Sequence, residues 1–412
     1  MFRLVDSIAA HSFRSLMGGH LRRLQEGTLE IADGTRSQTF GVPSVEGLAA
    51  RLEITNTRAY QSIAFGGSIG AAEAYARRWW TADDLTALIR IVARNRDISL
   101  NLDGWLTRAA LAAHRLRHRF RMNHRKQSRR NIAAHYDLGN DFFSLFLDPT
   151  MTYSCAVFPE PDSSLETASR HKLDLICRKL DLGSSDHLLE IGGGWGSLAA
   201  HAAETYGCQV TTTTISKQQY EHVKKSLAAA KLSDQVRVVL VDYRDLWRVL
   251  NKRFDKVVSI EMIEAVGHNY LDTYCQACDQ LTKPGGRMLL QSIVISDDLY
   301  DRYSHSVDFI QRYIFPGGFL PSLDDLVRRL ELHTEFDLTA VDEITEHYPG
   351  TLRAWRTRLI ENWTELIGLG YPDTLLRLWE FYFCYSEGGF LERTVGDFQL
   401  LLTKRTGQAF TS

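Results

Sequence analysis

From about Asn131 onward the chain repeats one pattern, a short apolar run, a turn and then an amphipathic stretch. HLLEIGGG (187–194), QVTTTTIS (209–216), VRVVLVDY (236–243), FDKVVSIEM (254–262) and GRMLLQSIVI (286–295) are each β-branched or Leu-rich and each followed by a helical segment. Strands alternating with helices at this spacing predict a parallel, doubly wound α/β sheet, with a ligand at the carboxyl ends of its strands. Residues 41–104 read differently. EGLAARLEITN ends in an apolar alternation and AYQSIAFGG in a glycine turn; SIGAAEAYARRWWTADDLTALIRIVARN predicts a helix, a break at Thr81 and a second helix. Thr81 with Asp84 three residues on is the expected N-cap of that second helix. The expected organisation is a small α/β domain over 1–112, a basic linker over 113–130 and a larger α/β domain over 131–412.

Length and composition agree with this division. The chain has 412 residues, 44% of them hydrophobic and 24% charged, with nine prolines, which suits two globular units and argues against a disordered or fibrous chain. No run reaches the 18 or so apolar residues of a membrane span, and Asp6 and His11 interrupt the N-terminus where a secretory signal needs an apolar core. A cytoplasmic location is the expectation. The six cysteines (155, 177, 208, 275, 278 and 384) are too scattered for a disulfide framework, so free thiols are expected. Cys275 and Cys278 form a lone CxxC, and the 14 histidines show no ligand spacing, so no metal site is expected.

The net charge of −2 conceals an asymmetry. Residues 1–130 hold 21 Lys+Arg against 11 Asp+Glu, and the remainder holds 27 against 39. HRLRHRFRMNHRKQSRR (114–130) carries eight of those cations and no acid. Such a run is a solvated face or an anion-binding segment. With only Leu116, Phe120 and Met122 as large apolar groups it offers little for base stacking, so lipid phosphate is the expected charged partner rather than nucleic acid. RRWW (77–80) pairs cations with aromatics in a way that suits a bilayer surface or the close of a helix.

The sharpest local motif is Glu190-Ile191-Gly192-Gly193-Gly194-Trp195-Gly196, at the junction of a strand and a helix. Glycines there let a ligand approach the backbone, and the helix N-terminus offers unpaired N–H groups. Ser197 stands where a dinucleotide fingerprint needs its third glycine, which disfavours NAD. An acid closing the first strand ahead of such a turn is the arrangement of Rossmann-like methyltransferases, with Gly192, Gly194 and Gly196 under the methionine part of S-adenosylmethionine. Thr214 and Gln219 are then expected at the ribose, and Asp242 and Tyr243 at the adenine. The plainer reading is a turn that only packs helix on strand.

Beyond the glycine turn, the chain resembles the cyclopropane-fatty-acyl-phospholipid synthases and their mycolic-acid relatives over about residues 45–400. The resemblance rests on Asn131-Ile132-Ala133-Ala134-His135-Tyr136-Asp137-Leu138-Gly139-Asn140, Met151-Thr152-Tyr153-Ser154-Cys155, Thr214-Ile215-Ser216, Asp242-Tyr243-Arg244-Asp245, Ser259-Ile260-Glu261-Met262-Ile263-Glu264 and Tyr313-Ile314-Phe315-Pro316-Gly317-Gly318. It implies a Rossmann-like methyltransferase core with a helical acyl-binding cap, preceded by a small lipid-handling α/β domain. It also implies that Tyr153 and Ser154 join the cofactor site. Bicarbonate is the implied general base, held by Cys155, Glu264, Tyr348 and the backbone of Ile293. Where many members of the family carry His, this chain has Leu289-Leu290-Gln291; Gln can donate to an anion but cannot relay a proton.

The implied activity is cyclopropanation of an unsaturated acyl chain of membrane phospholipid, by an enzyme docked on the anionic inner face of the membrane and able to form a homodimer. Three alternatives stay open: a methyl- or methylene-branched product, a small polar acceptor, and a non-catalytic lipid-binding protein. Bland readings stand beside the chemical ones. Cys155 is equally a buried small hydrophobe and Glu264 a helix N-terminal charge. Trp355, Trp363, Trp379, Phe381, Tyr382, Phe383 and Tyr385 serve as well in a core as along an acyl tunnel.

Overall fold

The structure is a computed structural model that describes residues 18–96 and 138–406. The basic run 114–130, the expected linker and the motif residues 131–137 lie outside the described residues. By their contacts the described residues divide into two units. One holds 18–96, His305–Ile314 and Leu352–Thr394; the other holds 138–304, Phe315–Thr351 and 395–406. The aromatic helices near the C-terminus, expected in the larger domain, therefore cluster with the N-terminal residues.

The first unit carries a four-stranded sheet ordered β2-β1-β3-β4, with β1 at Gly27–Asp33, β2 at Arg36–Val42, β3 at Ala49–Ile54 and β4 at Trp80–Ala82. The predicted alternation forms β3, which buries Ala50, Leu52 and Ile54 and exposes Ala49, Arg51 and Glu53. β1 and β2 form a hairpin that the pattern did not announce, because β2 exposes most of its side chains. AYQSIAFGG is helical up to the expected glycine turn, which appears as a kink at Gly67 (φ +53°) between two helical pieces of Arg58–Ala76. The cap of the next helix, Leu85–Arg94, is Asp84, whose carboxylate accepts from the Ala87 N–H at 2.9 Å. Thr81 is not the cap; it is extended and paired with Glu53 in the sheet.

The aromatic residues of this unit are largely core. Trp355, Trp379, Phe381 and Phe383 are at most 1% exposed, and Phe309 meets Phe381 edge-on at 5.0 Å. Trp80 of the RRWW sequence is buried and donates its indole N–H to the Ala71 carbonyl at 3.0 Å, while Arg78 pairs with Asp373 at 2.9 Å. Half of that candidate bilayer motif is thus occupied by packing and ion pairing.

The second unit is built on a seven-stranded sheet. β5 (His187–Ile191), β6 (Gln209–Thr214), β7 (Val236–Leu240), β8 (Phe254–Ile260) and β9 (Thr282–Ile295) fall on the five predicted runs and pair in parallel. β5 and the central residues of β8 and β9 read as apolar runs because both faces are covered, β6 shows as a run of buried threonines, and β7, at the sheet edge, is partly buried. Leu188, Val258 and Leu289 pack beneath the helices Leu165–Lys179, Ser197–Tyr206 and Lys217–Ala229, whereas their neighbours Leu189, Val257 and Leu290 enter the opposite core with Leu271–Leu281 and Leu323–His333. The expectation of a parallel sheet is corrected at one strand: β11 (Val395–Lys404) runs antiparallel to β9, while β10 (Phe336–Glu343), antiparallel to β11, runs with the parallel strands, in the order β10-β11-β9-β8-β5-β6-β7. β11 inserts beside β9 and pairs with it from Val395 to Thr403.

All six cysteines are free and buried. Among the described residues no helix is long and apolar enough to cross a membrane.

Candidate active site

The glycine turn joins β5 to the helix Ser197–Tyr206. Register places Glu190 opposite Thr212, whose hydroxyl donates to the Glu190 Oε2 at 2.5 Å. Burial pushes the Glu190 carboxyl up to about 7, against the pull of the Thr212 hydrogen bond. A methyl group on Gly193 would lie 1.9 Å from the Thr212 Oγ1, so this glycine, not singled out in the sequence, is the most confined of the turn. Gly192 and Gly196 have φ of +87° and +86° and press on Met262 and Val223. At Gly194 (φ +53°) an added Cβ meets nothing within 4 Å. The turn therefore packs at three glycines and keeps an open cradle at the fourth.

The remaining cofactor candidates follow β6, β7 and the segment before Cys155. The Thr214 hydroxyl donates to the Gln219 Oε1 at 2.8 Å, and the Gln219 Nε2 is buried without a partner. A buried amide N–H left unsatisfied at the end of β6 suits a ligand hydroxyl. Asp242 is gripped by Arg244, with Nε to Oδ1 at 2.8 Å and Nη2 to Oδ2 at 2.6 Å. Tyr243 lies edge-on to Tyr274 at 5.3 Å, its hydroxyl buried and unpartnered. The Tyr153 ring packs on Phe143 (5.5 Å) and Phe146 (5.9 Å), and the Ser154 hydroxyl accepts from Lys172 at 2.6 Å. The open cradle and the two unsatisfied polar atoms fit S-adenosylmethionine along the carboxyl ends of β5, β6 and β7.

The five residues expected to carry chemistry gather at the ends of three neighbouring strands. β8 runs into Glu261 and the turn Ile263–Ala265 bearing Glu264; β9 presents Gln291 and Ile293, two residues apart and so on one face. The antiparallel register sets Gln399 of β11 opposite Gln291 and Asp397 opposite Ile293. Glu264 accepts the Ile293 N–H on Oε1 at 2.6 Å, and its Oε2 is buried without a partner. Burial and the neighbouring Glu261 charge push Glu264 up to about 8, so it is neutral near pH 7.

The other three expected residues converge on Glu261, a carboxylate to which no role was assigned from sequence. Its Oε1 accepts the Cys155 N–H at 2.8 Å and the Gln291 Nε2 at 2.7 Å, and its Oε2 accepts the Tyr348 hydroxyl at 2.7 Å. Cys155 contributes its backbone amide; its thiol points to the Ala156 carbonyl at 3.3 Å, and burial pushes that thiol well up. Gln291 also donates to the Asp397 Oδ2 at 2.9 Å and accepts from Gln399 at 3.0 Å. Asp397 is held well above the ordinary carboxylate range, by burial first and then by Glu261 and Glu264. Lys172, 1% exposed, is the cation of the cluster, its own pKa lowered by burial. Its signal in the sequence is its place between Ala168 and Ile176 at i, i+4 spacing, on the buried stripe of Leu165–Lys179.

The two halves of the site touch, because Met262, between Glu261 and Glu264, is the residue against which Gly192 presses. Comparison with known proteins agrees with this arrangement. Residues 123–400 match the family described as mycolic acid cyclopropane synthetase. The chain is 33% identical over 356 residues to the cyclopropane-fatty-acyl-phospholipid synthase of Escherichia coli K12, covering 86% of this chain and 88% of that protein. It is 37% identical over 333 residues to the tuberculostearic acid methyltransferase UfaA1 of Mycobacterium tuberculosis, covering 79% and 76%. Among solved structures, mycolic acid cyclopropane synthase CmaA1 complexed with SAH and CTAB superposes with a TM-score of 0.62 at 32% identity, over 67% of this chain and 98% of that one. A strand-end glycine cradle beside a buried acid cluster, in a chain matched to this family over most of its length, makes the protein an S-adenosylmethionine-dependent methyltransferase of the mycolic acid cyclopropane synthetase family.

Proposed function

We propose that this enzyme transfers the methyl group of S-adenosylmethionine to the double bond of an unsaturated acyl chain in membrane phospholipid and closes the product to a cyclopropane. The observation that carries the reading is the buried acid cluster lying directly behind the cofactor cradle. An alkene is a weak nucleophile, and aligning it with a sulfonium methyl in a dry pocket supplies several kcal/mol of the barrier. The cofactor, when bound, supplies an electrophilic methyl group and a thioether leaving group. Gly194 gives its backbone room, and Gln219, Tyr243 and the glycine turn orient it. Glu190, hydrogen bonded to Thr212, fixes the turn from below.

Attack by the π pair on the methyl carbon breaks the C–S bond and leaves a cation on the neighbouring acyl carbon. A base must then take a proton from the new methyl group, whose C–H pair closes the ring. Bicarbonate, the base implied by the family resemblance, does not fit this donor set as it stands. The Cys155 N–H, the Tyr348 hydroxyl and the Gln291 amide donate to Glu261, and the Ile293 N–H donates to Glu264. No step is therefore routed through that ion.

The basic run 114–130, with eight cations and no acid, supports docking on an anionic bilayer, from which the acyl chain is drawn. A branched product is the second reading. Gln291 in place of the histidine common in the family favours it, as does likeness to a protein named as a tuberculostearic acid methyltransferase. The test is incubation of purified protein with S-adenosylmethionine and liposomes of monounsaturated anionic phospholipid, followed by gas chromatography, mass spectrometry and proton NMR of the acyl products. Upfield ring protons support cyclopropanation; a methyl or methylene branch moves the assignment to the second reading; no acyl product overturns both.

A further inference from the structure

We propose that the Glu261 carboxylate is itself the base that takes the proton after methyl transfer, in the place that the family resemblance gives to a bound bicarbonate ion. The inference rests on the function proposed above and names the proton acceptor of that reaction.

Three donors from three separate segments, the Cys155 amide, the Gln291 amide and the Tyr348 hydroxyl, meet on the two oxygens of one side chain, all between 2.7 and 2.8 Å. These are three of the groups expected to hold a small carboxylate-like anion, and here the chain supplies that anion covalently. Such an arrangement favours the ionised carboxylate over the acid, because hydrogen bonds donated to a charged acceptor are the stronger ones. The charges around it agree. Burial raises the pKa of Glu261 too, but Lys172 and the Cys155 and Tyr348 donors pull it back, whereas Glu264, pushed up to about 8, and Asp397, held well above its ordinary range, are each raised by burial first and then by the Glu261 charge.

The backbone carries the same message. Glu261 has φ of +47°, a left-handed conformation that glycine adopts freely and that costs a side-chain-bearing residue on the order of 1–3 kcal/mol. A residue with a long, buried, charged side chain stands where the conformation asks for none, and its bonds to Cys155, Gln291 and Tyr348 hold it there. Glu264 does not duplicate the role, since it is neutral near pH 7 and bound through Oε1 to the Ile293 amide.

The step balances without a further reactant. The C–H bond of the transferred methyl group breaks, its electron pair forms the C–C bond that quenches the cation, and the proton passes to a Glu261 oxygen. The resulting carboxylic acid returns that proton to water after the product leaves. Gln291 and Asp397 position the carboxylate: Gln291 Nε2 bridges the two acids, and Gln399 fixes the amide from its oxygen side.

Two arms on the full chain test this. In the first, bicarbonate is titrated into apo-protein by calorimetry and by thermal shift. Wild type should show no saturable binding, whereas E261G, which relieves the left-handed strain and frees the donors, should bind the ion. In the second, acyl turnover is measured in carbon-dioxide-depleted buffer with and without added bicarbonate. Wild-type rate should be indifferent to the ion, E261Q should lose about 10²- to 10⁴-fold, and E261G should be inactive alone and partly rescued by bicarbonate.

Saturable bicarbonate binding by wild type, dependence of its rate on the ion, or a parental rate in E261Q would each overturn the proposal. Circular dichroism and binding of S-adenosylhomocysteine establish that the variants are folded; should E261Q not fold, the wild-type and E261G arms decide. Wild type that yields no alkylated acyl chain at all would refute the proposed function, and the binding arm would still decide whether Glu261 occupies the donor set.

Discussion

Replacing Lys172 by methionine removes a buried cation while nearly keeping its volume. The ammonium lies 2.6 Å from the Ser154 hydroxyl, is 1% exposed and lowers the pKa of both Glu261 and Glu190. Removing a buried counter-charge costs up to about 3–5 kcal/mol if the carboxylate it stabilises stays charged. A carboxylate has a second course, which is to bind a proton. Holding that proton above its unfolded pKa of about 4.3 costs about 1.4 kcal/mol per pH unit.

At about pH 5 the protonated route costs about 1 kcal/mol, and by about pH 8 it costs about 5 kcal/mol, so the charged and protonated routes cross near neutrality. The sign follows from a folded-state pKa raised above the unfolded one: the unfolded chain releases the proton first, so the deficit of the variant grows as pH rises. Expected, then, is a K172M destabilisation of about 1–2 kcal/mol at about pH 5, including the lost Ser154 bond, rising to about 3–5 kcal/mol at about pH 8. Urea unfolding of both proteins at the two pH values measures it, with equal slopes required before midpoints are compared. A deficit of the same size at both pH values would refute the placing of Lys172 as the counter-charge of the acid cluster.

Other substitutions read out other parts of the molecule. Gly193→Ala drives a methyl group into the Thr212 hydroxyl and the Glu190 carboxyl, and should cost about 2–4 kcal/mol in stability and more than about tenfold in S-adenosylhomocysteine affinity by calorimetry; parental binding would show that the turn is not the cofactor cradle. Gln219→Leu removes an amide that has no protein partner on Nε2 but strands the Thr214 hydroxyl that bonds its Oε1, so stability should fall by about 1–3 kcal/mol while affinity for the same ligand drops about tenfold. Glu264, pushed up to about 8, weakens the folded state as pH rises from about 4.3 toward that value, so E264Q should match wild type near about pH 5 and exceed it by several kcal/mol near about pH 8 in urea unfolding. Asp84→Ala removes the cap on Leu85–Arg94 and should cost about 1 kcal/mol, whereas Thr81→Ala, in the strand, should leave the cap intact.

What the sequence makes legible is what short-range pattern encodes. β5 to β9 are visible because their buried positions are filled by apolar or β-branched residues, threonines in β6 included, and the glycine turn is visible because its conformations and close approaches exclude side chains. β1 and β2 are not, since β2 exposes Arg36, Ser37, Gln38 and Thr39 and resembles a loop. β11 is hidden for another reason. Its polar members, Asp397 and Gln399, read as surface residues until the register with β9 shows them facing Ile293 and Gln291. Glu261 lies inside a quoted motif, yet nothing local says that Cys155, 106 residues earlier, and Tyr348, 87 residues later, donate to it. Long-range convergence of this kind is a property of topology rather than of spacing.

The first unit is threaded from three separate pieces of chain, and the helix Asp373–Leu391 packs against both Arg58–Ala76 and Leu85–Arg94 while Glu392 binds Arg90 and Arg94 at 2.6 and 2.8 Å. On the ribosome the N-terminal sheet therefore emerges long before the helix that covers it. Tyr75, Trp80 and Ile91, all buried in the finished protein, must wait with apolar surface uncovered until nearly the whole polypeptide has been made. The unit begun first is completed only when Thr394 has been made, so its early surface stays uncovered through most of synthesis, and the two units cannot be exchanged between proteins as contiguous cassettes.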